Sequence, residues 1–77
     1  MDATERELNR WIAEDNAGNR YVVIEWQMIT FFRRLSGSVQ EVPGISRLAL
    51  ATGEHVNPLK DGSYQIFDNY VIIRRVD

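Results

Sequence analysis

The sequence predicts an α+β fold: one N-terminal helix packed across an antiparallel sheet of about five strands, ending in a β-meander and free to curl into a small, partly open barrel. Three observations carry this reading. Apolar residues spaced three and four apart occur near the N-terminus, in Leu8, Trp11 and Ile12. β-Branched and aromatic residues dominate positions 20–35. Three turn dipeptides, Thr52-Gly53, Asp61-Gly62 and Asp68-Asn69, punctuate the rest.

The helix is expected over about 4–16. Leu8, Trp11 and Ile12 share one helical face, and Glu5, Arg6, Asn9, Arg10 and Glu14 lie off it. Thr4 and Glu7 have the spacing of a capping box, and Ala17-Gly18-Asn19 reads as a left-handed C-terminal stop. Positions 20–35 follow as one long strand. Its length exceeds the usual five or six residues, so a bulge or bend is expected near Gln27 to Thr30. Two glycines, two serines and Pro43 make 36–44 the longest loop.

The meander occupies 45–76. If each turn dipeptide is a two-residue loop, Leu50 faces His55, Leu48 faces Asn57, Leu59 faces Tyr64, Asn57 faces Ile66, Ile66 faces Val71 and Tyr64 faces Ile73. Leu48, Leu50, Leu59, Tyr64, Ile66, Val71 and Ile73 then form one core face. The opposite face collects Arg47, Lys60, Phe67, Tyr70 and Arg74, and Pro58 marks its strand as an edge or a bulge.

Composition bounds the function. A chain of 77 residues is expected to form a single domain, and 44% hydrophobic with 26% charged residues is ordinary for a folded protein. The absence of cysteine excludes disulfides, thiolate chemistry and Cys-type zinc sites. The apolar run within 21–32 is broken by Glu25, Gln27 and Thr30 and is too short to span a bilayer. The first twenty residues carry five acids and no apolar stretch of the kind a secretory signal needs, so a cytoplasmic location is expected. The net charge of −2 is uneven: residues 1–19 hold five acids against Arg6 and Arg10, giving −3, and residues 20–77 hold six acids against seven bases, giving +1.

No catalytic, cofactor-binding or metal-binding residue is expected. His55 is the only histidine, with no second ligand at metal spacing, and a strand would turn neighbouring Glu54 to the other side. The serines lie outside any nucleophile elbow or phosphate cradle. Glu5/Glu7 and Glu14/Asp15 suit a solvated surface. The pairs Arg33-Arg34 and Arg74-Arg75 flank strand residues and suit either edge-blunting charge or anion contacts.

The expected function is therefore a non-enzymatic interaction or regulatory module that self-associates through surplus apolar sheet surface. Phe31, Arg33, Arg47, Lys60, Phe67, Tyr70 and Arg74 are its candidate partner-binding residues, and another protein chain, in a homo-oligomer, is its expected partner. An alternative is single-stranded nucleic acid (RNA), stacked on Phe67 and Tyr70 with Arg47, Lys60 and Arg74 at its phosphates; the net acidity disfavours it. A third reading places a ligand against His55 and Asn57 on the core side.

Overall fold

The computed structural model describes residues 2–77. It is all-β. Six antiparallel strands follow one another in sequence: β1 (Asp2–Glu14), β2 (Arg20–Arg33), β3 (Val39–Leu50), β4 (His55–Pro58), β5 (Tyr64–Ile66) and β6 (Ile72–Arg75). Each pairs with the next, and β6 returns to β1 through Ala13↔Arg75 and Glu14↔Arg74, closing a barrel. The α+β expectation is thus corrected to a closed six-stranded barrel with no helix among the described residues.

The stretch read as a helix is extended because the extended form does more with the same residues. A helical stripe of three apolar side chains buries little, and helix propensity is a weak prior that tertiary context overrides. As a strand, Trp11 and Ala13 both turn into the barrel, at 5% and 0% exposure. The charged residues before them find ion-pair partners: Glu5 with Arg47, Arg6 with Glu41, and Glu7 with Arg10. The apparent helix stop, Ala17-Gly18-Asn19, is a hairpin turn, since a glycine in the left-handed region serves both.

That turn recurs. At 15–19, 34–38, 50–54 and 59–63 the first residue's N–H donates to the fifth residue's carbonyl, and the glycine in fourth position donates back to the first residue's carbonyl. All four glycines, Gly18, Gly37, Gly53 and Gly62, have φ between 85° and 107°. Each loop therefore holds three residues between its flanking pair, the last of them left-handed.

This single fact corrects the meander register. Thr52-Gly53 and Asp61-Gly62 belong to three-residue loops, so β4 slips by one position against each neighbour and turns over. Val56 faces Leu48 and Ile66 and is 4% exposed, whereas His55 pairs with Ala49 and Asn57 with Gln65, both on the outside. The two slips cancel across β4. Leu48, Leu50, Tyr64, Ile66, Val71 and Ile73 still belong to one core, and Leu59 leaves the strand as a half-buried loop residue. The Asp68-Asn69 reversal keeps the two-residue register, with Tyr64↔Ile73 and an Ile66 N–H donating to Val71, but it holds Tyr70 at a φ of 60°.

Trp11, Ala13, Val23, Leu50, Val56, Ile66 and Ile73 form the core. It lies at one end of the molecule. Strands β1, β2 and β3 run to 13, 14 and 12 residues, against 4, 3 and 4 for the rest, so their outer portions leave the barrel as a three-stranded ribbon. The molecule measures 56 × 23 × 21 Å, and its radius of gyration of 15.9 Å exceeds the roughly 11.5 Å of a globular domain this size.

Two register shifts shape the ribbon. One leaves Leu8 as an extra residue in β1, between Glu7 and Asn9. The other sets Gly44 and Ile45 of β3 against Met28 of β2, between Gln27 and Ile29. The irregularity expected near Gln27 to Thr30 therefore has its extra residue on the neighbouring strand. The expected loop 36–44 is corrected as well: only 34–38 turns, and Pro43-Gly44 belongs to β3 at its bulge. No helix among the described residues is long and apolar enough to cross a membrane.

Candidate interaction surface

Strand alternation gives the ribbon two faces. On one, Arg6 of β1 reaches across β2 to Glu41 of β3, donating from Nη1 at 3.2 Å and Nη2 at 3.0 Å. Arg6 pairs with Gln27 and Glu41 with Phe31, so the bridge passes over Ile29, a buried residue of the ribbon. On the other face Arg47 of β3 reaches back to Glu5 of β1, donating from Nε at 2.7 Å and Nη2 at 2.8 Å. Each guanidinium holds its carboxylate below the usual range, chiefly by these hydrogen bonds. Solvent-exposed pairs add little stability singly, but bidentate geometry fixes orientation, and one clamp per face ties the two outer strands together over the central one.

Around the clamps and out to the tip the ribbon leaves apolar side chains in water. Leu8, Met28, Phe32, Val39, Val42 and Ile45 are all exposed, and Leu35 at the turn is wholly so. The accessible surface of 5551 Å² exceeds the roughly 4800 Å² of a globular monomer of this mass by about 700 Å².

A cleft of 680 Å³ opens where the ribbon joins the barrel. Its cause is local. The β3–β4 ladder consists of Leu48↔Val56 and Ala49↔His55, and Pro58 has no N–H with which to extend it. Beyond the last rung, β3 and β4 part, with Trp11, Leu48, Val56 and Tyr64 among the apolar lining and Glu25 and Asn57 among the polar. Trp11 stacks at a tilt on Tyr64, 5.7 Å between ring centroids, and lies 5.2 Å under the Arg75 guanidinium. Its Nε1 is buried with no hydrogen-bond partner, a state that costs about 1–3 kcal/mol.

The residues singled out from the sequence are not brought together. Phe31 and Arg33 stand near the ribbon tip, where with Asp2, Phe32 and Val39 they line a hollow of 170 Å³. Arg47 is engaged by Glu5. Lys60 is an exposed loop residue, and Arg74 lies 3.7 Å from Asp61. Phe67 and Tyr70 are exposed, in the β5–β6 turn. Closure explains the scatter: a flat sheet would share one outer face, but a barrel wraps it, so Arg47 on β3 and Arg74 on β6 point outward from strands three steps apart. His55 and Asn57, placed inside by the two-residue register, face outward beside the cleft.

Comparison with protein-family models, curated proteins and solved structures found no significant match. No cluster of His, Cys, Asp or Glu able to hold a metal occurs among the described residues. What the sequence reading passed over is the apolar set Leu35, Val39, Val42 and Ile45. The available signal was Gly37, which takes the same fourth position at 34–38 as the glycines of the other three hairpin turns, so that the residues after it are free to be strand.

Proposed function

We propose that this chain is a non-catalytic assembly module that associates with further copies of itself through its projecting ribbon. The observation that carries the proposal is the ribbon's exposure. A three-stranded extension held by two ion-pair clamps keeps at least six large apolar side chains in water, and monomeric proteins rarely expose apolar surface on this scale without a partner for it. The excess surface of about 700 Å² approaches the roughly 800 Å² that each partner buries in a standard interface.

Sedimentation velocity across a micromolar concentration series tests this. A weight-average coefficient that rises with concentration supports self-association; a strict monomer throughout removes it.

A further inference from the structure

The free edge of β3, the hairpin tip and the cleft are parts of one arrangement. Strand β3 pairs with β2 along its whole length, but its other edge meets β4 only at Leu48 and Ala49. Positions 39–47 thus present an open edge of nine residues, roughly 30 Å long. The β2–β3 turn lies at one end of this edge. The cleft lies at the other.

The two ends are complementary. The tip carries Leu35, fully exposed, beside Arg33 and Arg34, and no acid occurs between Glu25 and Glu41. Arg33 forms no ion pair among the described residues. The cleft presents an apolar floor of Trp11, Leu48, Val56 and Tyr64, has room for a leucine side chain, and carries Glu25, which likewise forms no ion pair among the described residues. Trp11 adds a buried donor that the monomer leaves unpartnered. Within one chain the tip and the cleft are separated by the length of the ribbon and cannot meet.

A second copy laid antiparallel along the open edge brings them together. Strand β2 bonds β3 at Ala49 and Arg47 on one side of the Gly44/Ile45 bulge and at Val42 and Gln40 on the other, so the N–H groups that face the open edge are those of Val39, Glu41 and Ser46. A two-fold between Pro43 and Gly44 sets Glu41 of each chain opposite Ser46 of the other and Gln40 opposite Arg47, so each turn arrives where the other chain's β3 and β4 part. A two-fold arrangement makes both tip-to-cleft contacts at once.

We propose that two copies of this chain pair antiparallel along their β3 edges, each seating Leu35 in the other's cleft with Arg33 or Arg34 against Glu25. This rests on the self-association proposed above and names its surface. The test is sedimentation equilibrium on the wild-type chain, on Leu35→Asp, on Glu25→Lys and on the double variant Glu25→Lys with Arg33→Glu. Leu35 is free of tertiary contact, so its replacement leaves the monomer fold alone; unchanged near-ultraviolet circular dichroism checks this for every variant. The expected result is a wild-type dimer, a loss of roughly tenfold or more in dimer affinity for Leu35→Asp and for Glu25→Lys, and recovery in the double variant. A wild-type monomer defeats the self-association and this inference with it. A wild-type oligomer unaffected by Leu35→Asp and Glu25→Lys overturns the inference alone, as does assembly that grows beyond a dimer.

Discussion

Two neighbouring side chains of β4 report which way the strand faces, because truncating one should cost far more than truncating the other. Val56 is 4% exposed within the core, and Asn57 is exposed on the barrel's outer side. Replacing Val56 by Ala deletes two methyl groups, a transfer loss of about 1.6 kcal/mol at roughly 0.8 kcal/mol per carbon. The residual cavity left among its core neighbours raises this to about 2–3 kcal/mol. Asn57→Ala removes no buried surface and no side-chain hydrogen bond, and should lie within about 0.5 kcal/mol of the parent.

A domain of this length holds roughly 4–11 kcal/mol in all, so the Val56 change is a large fraction of it. Urea unfolding followed by tryptophan fluorescence measures both. With an m-value near 1 kcal/mol/M, Val56→Ala should lower the midpoint by about 2 M or more, and Asn57→Ala should barely move it. A register with two-residue loops at Thr52-Gly53 and Asp61-Gly62 predicts the reverse order. If Asn57→Ala proves the more damaging of the two, the three-residue loops, the inverted strand and the cleft beside it are all wrong.

Two residues with positive φ give predictions of opposite sign. Gly62→Ala should destabilise by about 1 kcal/mol, because its φ of 88° is costly for an L-residue although the space beside it is open. Tyr70→Asn should stabilise by up to about 1 kcal/mol, because Tyr70 occupies the left-handed region at φ 60° without a glycine's freedom; thermal melts read both. Glu5, Glu7, Asp15, Glu41 and Asp61 are each held below the ordinary carboxylate range, first by side-chain hydrogen bonds from Arg47, Arg10, Asn19, Arg6 and Ser63 respectively. The unfolded chain therefore binds more protons in acid, so the stabilisation from these groups is complete above about pH 4.5 and is lost as the pH falls through their folded values. Denaturant midpoints should be level between pH 6 and 7 and fall below pH 4.5; a midpoint that rises on acidification contradicts these pairings.

What the sequence revealed of the fold follows physical lines. Strand was legible where the residues were β-branched or aromatic, as in β2, and the shared core face was legible along Tyr64, Ile66, Val71 and Ile73. The first strand was not, because Leu8, Trp11 and Ile12 fit helical spacing as well as they fit a bulged strand, and only the partner strands decide between the two. Closure decided it: the inward faces of Trp11 and Ala13 complete a core that a helix at 4–16 would have left open to β6. Loop length was the other blind spot. Thr-Gly and Asp-Gly fit a two-residue turn by composition, but a glycine left-handed in the last position of a three-residue turn has the same signature, and the extra residue shows only in hydrogen bonding.

The interaction surface was harder to read than the fold. Arg47 is an arginine flanked by strand residues, and nothing local announces that Glu5, far away in sequence, will claim it. Val39 and Val42 lie in a segment whose Ser, Gly and Pro content suggests a loop, so their exposure on a sheet could not be foreseen. Phe67 and Tyr70 lie within the β5–β6 turn and not in paired strands, and the curvature that separates them from Arg47 is a property of the closed barrel and of no single segment.

Small-angle X-ray scattering over a dilution series tests the central claim most directly, since it reads shape and association together. An elongated particle near 15.9 Å in radius of gyration at the dilute limit, growing in mass toward two chains as concentration rises, is the predicted result. A concentration-independent particle near 11.5 Å, the size of an ordinary globule of this length, would contradict it.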